Sequence, residues 1–298
     1  MNNMINKVIT IVAVMMLLIS SNYFGKKTWS SFVAAQSINK IAELYTPPTP
    51  EMDSAFNSAG ILRAFEPLLA QNPDTIGWLR IPGAKVNQVV VQRSGGDEDF
   101  YYLHTDFNHK PSKHGALFLS GDNILEKDNT SKNLTVHGHH MKDDLMFGLM
   151  KNFRELDFYK ENPLVYFDTL YGAGTYKIFA VMLTNAEPGD DAGEVFYYTK
   201  PDFQYEDGSF DEEEFMKYID ELRKRSMHNI PVDVDENDEI LTLSTCEYDF
   251  PSARLVVIAR KVRDGEDTEV DTAKAEKNPT VLYPQAWYNR YGGQKPTF

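Results

Sequence analysis

The sequence contains very little cysteine: Cys246 is the only one among 298 residues. A single thiol excludes an internal disulfide framework, and it also excludes cysteine-rich zinc sites and iron–sulfur clusters, which need several thiolate ligands. An unpaired thiol is liable to oxidation in an exported protein. The presence of Cys246 therefore needs its own explanation.

Positive charge is also scarce. Lys and Arg number 30 against 44 Asp and Glu, so the formal net charge is -14 at pH 7 and the pI is near 4.9. Because an acidic surface repels a phosphate backbone, this balance argues against nucleic acid as a partner. The 42% hydrophobic and 25% charged content is that of a globular protein with a sizeable core.

A long apolar run occurs at the amino terminus and nowhere else. Residues 8–19 are apolar except for Thr10, and a tolerable stretch covers residues 4–24, close to the roughly 20 residues that span a bilayer. Small residues suited to a signal peptidase do not follow at the required distance. We therefore predict an uncleaved membrane anchor in residues 1–27, with a cleaved signal peptide as the alternative. Lysines on both sides leave its orientation open.

Most of the remaining chain consists of short β-type segments separated by turn formers. Eight segments of strand length can be identified: Gly77–Ile81, Val86–Val91, Leu117–Leu119, Leu134–His137, Leu164–Asp168, Thr175–Leu183, Ile240–Ser244 and Leu255–Val262. Few helices lie between them. The pattern therefore favours a mainly β protein, a barrel or a sandwich, over a parallel α/β sheet.

Four segments have the spacing of amphipathic helices, namely Thr28–Leu44, Ser54–Gln71, Asp144–Leu156 and Asp211–Met227. The last one begins with acidic residues and ends with basic residues, which complements the helix dipole. A proline-rich linker follows the first helix. We predict a loose charged loop at residues 264–277. Residues 279–298 either pack on the body or form a tail.

Residues that could take part in catalysis lie at the ends of two predicted strands. Cys246 lies where a strand holds a side chain rigidly at a rim, which suits a nucleophile, although a lone cysteine can also be a buried small hydrophobe. The cluster His137-Gly138-His139-His140 ends another strand. One of its histidines can generate a thiolate if it meets Cys246. The alternatives are a metal site or exposed loop histidines.

Arg254 begins the last predicted strand, eight residues after Cys246. If the two strands form a hairpin, the guanidinium lies at the same rim as the thiol. It can then stabilise an oxyanion, since it stays charged at any relevant pH. The alternative is an ion pair with Glu247 or Asp249.

In this order the three features resemble those of sortases, the cysteine transpeptidases that attach proteins to Gram-positive cell walls. The resemblance covers roughly residues 55–262 and rests on the segments Asn133–Lys142, Thr242–Cys246 and Arg254–Val257. It implies that Cys246 is the nucleophile, His139 the general acid and base, and Arg254 the oxyanion-stabilising group. His137 stands where the family's Tyr-Gly-His motif has tyrosine, so it is a second candidate for the working histidine.

Further segments are similar to the class B branch of the family: Asn72–Trp78, Val89–Gln92, Tyr101–Leu103, Met141–Phe147 and the helix before the cysteine strand. The resemblance implies an eight-stranded sortase-type β-barrel with an N-terminal helical region. It also implies that four residues bind the substrate, Leu103, Ser244, Thr245 and Glu247. It calls for no metal or other cofactor.

The sequence patterns and the extent of the resemblance together divide the chain into four regions. Residues 1–27 are the anchor, 28–54 a helical stalk and linker, 55–263 the catalytic domain and 264–298 a C-terminal extension. A single-pass protein of the cell membrane is expected, with its amino terminus inside and its catalytic domain extracellular.

The implied activity is cleavage of a Pro-x-Thr-type C-terminal sorting signal after threonine, through a thioester on Cys246. The secreted protein is then transferred to an amine of the peptidoglycan cross-bridge or, as an alternative, to a pilin lysine. Two rival functions are a cysteine peptidase of the cell envelope and a non-catalytic, membrane-anchored β-barrel binding module.

Overall fold

The computed structural model describes residues 28–48, 55–187 and 195–298, together with positions 10, 12, 15, 16 and 25. The chain divides into two units, residues 1–43 and residues 44–298. In the first unit residues 28–42 form helix α1, in agreement with the helical spacing of that segment. The predicted anchor falls almost entirely outside the described residues. Within the described part of the chain, no helix has the length and apolar character needed to cross a membrane.

Among the residues that the structure describes, the second unit has ten strands: β1 Thr75–Ile81, β2 Val86–Val91, β3 Leu117–Leu119, β4 Asn133–His137, β5 Leu164–Thr169, β6 Thr175–Asn185, β7 His228–Asn229, β8 Ile240–Cys246, β9 Ala253–Lys261 and β10 Glu276–Lys277. Eight of them close into a barrel in the order β1-β2-β3-β4-β8-β9-β6-β5. β7 and β10 form a separate two-stranded sheet. All eight predicted strands lie in the barrel, so the predicted fold class is confirmed.

Apolar side chains that alternate along the strands fill the barrel. In β8 and β9, Leu241, Leu243 and Val257 are fully buried, and the register pairs Leu243 with Val257. Because neighbouring residues of a strand point to opposite faces, the residues between them point to the other side of the sheet. This alternation determines which side chains can meet at the rim.

The helices of the second unit are α2 Glu66–Leu69, α3 Leu156–Glu161, α4 Glu212–Arg225 and α5 Gln285–Tyr291. α4 confirms the prediction for Asp211–Met227. The side chain of Asp211 caps it by accepting a hydrogen bond of 2.8 Å from the backbone N–H of Glu214. Its apolar stripe, including Phe215 and Leu222, is buried.

Two helix predictions are wrong over most of their length. Of Ser54–Gln71, only a 3-10 turn and α2 are helical. The Asn57 side chain accepts hydrogen bonds from the N–H groups of Ala59 and Ile61 and so forms a turn instead. Asp144–Leu156 begins with left-handed backbone at Asp144 and Met146 (φ 62 and 54), which interrupts an α-helix. A 3-10 helix, Met150–Arg154, forms later in that segment.

Residues 264–277 contain a 3-10 helix, Thr272–Lys274, and strand β10 and make specific contacts with the barrel, contrary to the prediction of a loose loop. The Glu266 carboxylate accepts hydrogen bonds from Lys177 (2.6 Å) and from the buried Arg260 (2.9 Å). The Arg260 hydrogen bond is the main reason that the pKa of Glu266 lies below its ordinary value. Residues 279–298 pack on the body, which settles the alternative that the sequence left open.

Candidate active site

Three strands bring the candidate residues to one rim of the barrel. β4 and β8 run parallel and in register, so their carboxyl ends lie side by side, and His137 is the partner of Ser244. β9 is antiparallel to β8 and begins at the same rim, where Cys246 is the partner of Arg254. Directly opposed side chains in such a pair have Cβ atoms about 5 Å apart. The thiol and the guanidinium therefore start from adjacent backbone positions.

The segment that follows β4 is hydrogen-bonded to the end of the cysteine strand on both sides of His139. The N–H of Gly138 donates to the carbonyl of Ser244 at 3.1 Å, and Nδ1 of His140 donates to the carbonyl of Cys246 at 3.0 Å. Gly138 fits here because a Cβ would lie 2.5 Å from the Leu117 side chain. The residues on both sides of His139 are consequently held at the end of the strand that carries Cys246.

The His139 ring is oriented by a backbone carbonyl. Its Nε2 lies 2.7 Å from the oxygen of Leu103, so Nε2 carries a proton and Nδ1 is the nitrogen that can accept one. Gly115 lies against this carbonyl and has φ of 61. A side chain at this position would place its Cβ 2.8 Å from the Leu103 oxygen. A hydrogen bond of 2.8 Å between the buried His114 and Asp143 ties together the two loops that carry Leu103 and His139.

His137, the second candidate for the working histidine, has a different environment. Its ring stacks on Phe118 with centroids 5.3 Å apart. Burial lowers the pKa of His137 to about 4, and the positive charge of Arg254 also lowers it. At neutral pH the ring is therefore uncharged and is poorly suited to donating a proton. This difference favours His139 as the general acid.

The lowered pKa predicts a pH dependence of stability. Between about pH 6.5 and pH 4 the unfolded chain binds a proton at His137 and the folded chain does not, so the free energy of unfolding falls as the pH falls through this window. We expect the His137→Gln variant to lose less stability than the wild type between pH 7 and pH 4.5, by up to about 2 kcal/mol. Urea unfolding at the two pH values measures this difference. The exposed His104→Gln is the matched control, and equal losses in wild type and His137→Gln would contradict the prediction.

Tyr198, in the connection between β6 and α4, is a site residue that the sequence did not reveal. Its buried hydroxyl lies 3.0 Å from Oγ of Ser244. Burial raises the pKa of Tyr198, while the Ser244 hydrogen bond and the nearby charge of Arg254 oppose this rise. Arg254 itself is half-buried, and its Nη1 donates to the carbonyl of Ala253 at 3.1 Å. The available signal was the aromatic run at residues 196–198.

The predicted substrate-binding residues fall into two groups. Leu103 and Ser244 lie at the rim with the three catalytic candidates. Thr245 is 3% exposed, and by strand alternation it points to the face of β8 opposite Cys246. Glu247 follows the end of β8, and its side chain, which is 7% exposed, lies 3.9 Å from His140 and 3.7 Å from Arg154. The structure therefore brings the first two to the site and separates the side chains of the other two from it. Within the described ranges, no group of three His, Cys, Asp or Glu side chains could hold a metal ion.

Comparison with known proteins identifies the family to which this fold belongs. Residues 79–262 match the family model described as the Sortase domain. The chain is 29% identical over 201 residues to Sortase B of Staphylococcus aureus, which covers 67% of this chain and 75% of that protein. It is 28% identical over 193 residues to Sortase B of Listeria monocytogenes, covering 64% and 71%.

Solved structures show the same likeness. The X-ray structure of Clostridium perfringens Sortase B is 32% identical with a TM-score of 0.56, and the match covers 66% of this chain and 98% of that one. A Staphylococcus aureus sortase B–substrate complex is 24% identical with a TM-score of 0.64, covering 79% and 99%, and this likeness supports the fold alone.

Proposed function

Since this chain belongs to the sortase family, in its class B branch, we propose that it cleaves a Pro-x-Thr-type sorting signal after threonine and transfers the acyl group to an amine. The observation that carries the proposal is the rim geometry. Cys246 stands opposite Arg254 in the β8–β9 ladder, and the segment bearing His139 is hydrogen-bonded to the same strand end. Sulfur, guanidinium and imidazole are thus available to one scissile amide.

In the first half of the reaction, the Cys246 thiolate attacks the carbonyl carbon of the threonine. The carbonyl electron pair moves to oxygen, and Arg254 together with a backbone N–H stabilises this oxyanion. The C–N bond then breaks, and His139 as imidazolium protonates the departing amine. A thioester between Cys246 and the threonine carbonyl remains.

In the second half, His139 as a neutral base accepts a proton at Nδ1 from the incoming amine, while Nε2 stays bonded to the Leu103 carbonyl. The amine attacks the thioester, and collapse of the tetrahedral species releases the Cys246 thiolate and an amide. Water is the slower competing nucleophile. A 28% identical sortase B has been solved in complex with triglycine, which supports a glycine amino terminus as one class of acceptor for this chain. A pilin lysine is the other acceptor class.

The proposed setting is the outer face of a cell membrane. Residues 1–27 would anchor the chain, residues 28–54 would form the stalk and linker, and residues 55–263 would be the extracellular catalytic domain. Partners would then be secreted proteins with a C-terminal sorting signal and the cell-wall amine that receives them. The apolar run at residues 8–19 supports this arrangement.

Product analysis tests the proposal. A set of synthetic peptides containing Pro-x-Thr followed by a leaving segment is incubated with the enzyme, with and without triglycine or a lysine peptide, and the products are identified by mass spectrometry. We expect cleavage after threonine and a new amide to the added amine. A hydrolysis product that is unaffected by the amine would indicate the cysteine peptidase instead. No cleavage of any peptide would indicate the binding module.

Replacing Arg254 with lysine tests the oxyanion role. Lysine keeps the positive charge but lacks the planar fork of guanidinium donors. We expect kcat to fall by about 10²–10³, the loss typical of removing one oxyanion donor, with little change in thermal stability. Arg63→Lys is the control, because Arg63 is exposed and lies in the 3-10 turn before α2, outside the strands that form the rim. Near-normal turnover of Arg254→Lys would show that the guanidinium geometry is not used.

A further inference from the structure

The C-terminal extension lies outside the matched family region, which ends at residue 262, yet its last helix packs on the loop that joins Cys246 to Arg254. We propose that α5 and Arg154 are positioning elements that hold this β8–β9 loop, residues 247–252, from two directions and so fix the placement of the Cys246–Arg254 pair. The inference rests on the proposed function, because it takes these two residues as the reacting pair.

An apolar contact joins α5 to the loop. Phe250, in the loop, and Ala253, the first residue of β9, form a buried cluster with Ala286 of α5, and Trp287 packs against this cluster. These residues are 3%, 0% and 7% exposed in the order Phe250, Ala253 and Ala286. Ala253 immediately precedes Arg254, so the contact reaches the start of the strand that carries the guanidinium.

A hydrogen bond at the tip of the loop reinforces the apolar contact between α5 and the loop. The hydroxyl of Tyr291, the last residue of α5, donates to the carbonyl of Asp249 at 3.1 Å. Tyr291 also lies against Trp287, with ring centroids 5.2 Å apart. The Trp287 ring in turn stacks on Tyr283 at 4.2 Å. The aromatic rings thus connect the loop tip to the segment that leads into α5.

The extension is itself fixed to a different part of the body. The N–H of Asn278 donates to the carbonyl of Met227 at 2.9 Å, and the N–H of Leu282 donates to the carbonyl of Lys224 at 2.9 Å. Lys224 belongs to the last turn of α4. These hydrogen bonds do not involve the β8–β9 loop. The extension is therefore held in place independently of the loop and can restrain the loop's position.

Arg154 holds the loop from a second direction. It ends the 3-10 helix Met150–Arg154, and its two terminal nitrogens donate to the two carboxylate oxygens of Asp249 at 2.8 and 3.0 Å. Its Nη1 also lies 3.7 Å from Oε2 of the buried Glu247. A two-pronged bond of this kind restrains orientation as well as distance. Asp249 therefore accepts hydrogen bonds from Arg154 at its carboxylate and from Tyr291 at its backbone carbonyl.

The loop contains one strained backbone position. Ser252 has left-handed backbone with φ of 54, a conformation that L-residues other than glycine adopt at a cost. Cys246 and Arg254 are the last partners in the β8–β9 register, and one backbone hydrogen bond beyond them, from the N–H of Glu247 to the carbonyl of Ala253 at 2.9 Å, closes the loop. The loop is therefore adjacent to the proposed reacting pair. A displacement of about 1 Å at a catalytic group can cost on the order of 10²-fold in rate.

A double-mutant cycle in the full chain tests the inference. Trp287→Ala is made in the wild type and in the Arg254→Lys background, and kcat and KM for peptide cleavage are measured in single-turnover and steady-state assays. We expect Trp287→Ala to lower kcat about tenfold in the wild type, with KM changed less than twofold. In the Arg254→Lys background we expect a loss below about threefold, because coupled residues are not additive.

Three further variants complete the design. Arg154→Lys, which keeps the charge but not the two-pronged bond, should reproduce the loss of kcat. Tyr291→Phe should lower kcat by a smaller factor. If Trp287→Ala fails to fold, Tyr291→Phe is the variant that tests the positioning role of α5. Asn289→Ala, an exposed change on the same helix, should leave kcat unaltered. Thermal melting accompanies each measurement.

Two results would overturn the inference. One is unchanged kcat in Trp287→Ala, Arg154→Lys and Tyr291→Phe. The other is an equal loss from Trp287→Ala in both backgrounds, which would make the extension a stabilising element only. Failure of the proposed function is distinguishable, because the wild type itself would then cleave no peptide, or would give only the hydrolysis product whether or not an amine is added.

Discussion

The Cys246→Ala variant should cleave no Pro-x-Thr peptide, with kcat reduced by at least about 10⁴-fold, the scale on which loss of a covalent nucleophile is felt in hydrolases. Cys246 is the only thiol in the chain, so no second sulfur can replace it. The carbonyl oxygen of Cys246, which accepts the His140 hydrogen bond, belongs to the backbone and is unaffected by the substitution. The rim should therefore keep its shape while the chemistry is lost.

The same variant should bind the peptides and melt close to the wild-type temperature, because Cys246 is only partly buried and alanine removes one sulfur atom. Calorimetric titration with a sorting peptide and thermal melting measure these properties beside the cleavage assay. Residual transpeptidation by Cys246→Ala would reject the thiol mechanism. Loss of peptide binding together with a lowered melting temperature would mean that the substitution acts on the fold.

The His139→Ala variant should be severely impaired and His137→Ala only mildly so. Removal of a general acid and base costs about 10²–10⁴ in rate, whereas His137 is uncharged at neutral pH, since its pKa is about 4. His139 also has the contact that fixes one tautomer, the bond between Nε2 and the Leu103 carbonyl. Steady-state kinetics at pH 7 on the same peptide compare the two variants directly.

His137 serves as the matched control for His139, since the two residues flank Gly138 on the same segment. The reverse ranking, with His137→Ala severe and His139→Ala mild, would show that the motif had been assigned to the wrong position. Equal and small effects would mean that neither imidazole transfers the proton.

The barrel was predictable because each strand has a recognisable pattern in its own stretch of sequence. Segments such as Val86–Val91 and Leu117–Leu119 have the apolar content and flanking turn residues of strands, and their bounds in the structure coincide with the predicted ones. α4 was predictable for the same reason, since its stripe, cap and end charges all lie within one segment. Residues whose burial follows a local period can thus be placed without knowledge of their partners.

The wrong helices show what local periodicity cannot determine. Asp144 and Met146 take left-handed backbone where the chain turns back and the N–H of Phe147 bonds to the carbonyl of His139. This geometry is stabilised by tertiary contacts, among them the burial of Phe147. Tertiary packing overrides the helical spacing of the segment.

The three candidate catalytic residues were available from the sequence through motifs, but their supporting contacts were not. Arg154 and Asp249 are 95 residues apart in the chain, and Tyr198 approaches Ser244 across 46 residues. Such contacts depend on the register of β8 with its neighbours and on the course of the connections. They leave no local pattern in composition or spacing.

Intact-protein mass spectrometry of the enzyme quenched during turnover is the most direct test of the central claim. With a Pro-x-Thr peptide and no added amine, we expect a protein whose mass is raised by that of the peptide up to its threonine. The adduct should map to Cys246, be removed by hydroxylamine and be absent from Cys246→Ala. Cleavage of the peptide with no such adduct at any time, or an adduct on another residue, would contradict a thioester intermediate on Cys246.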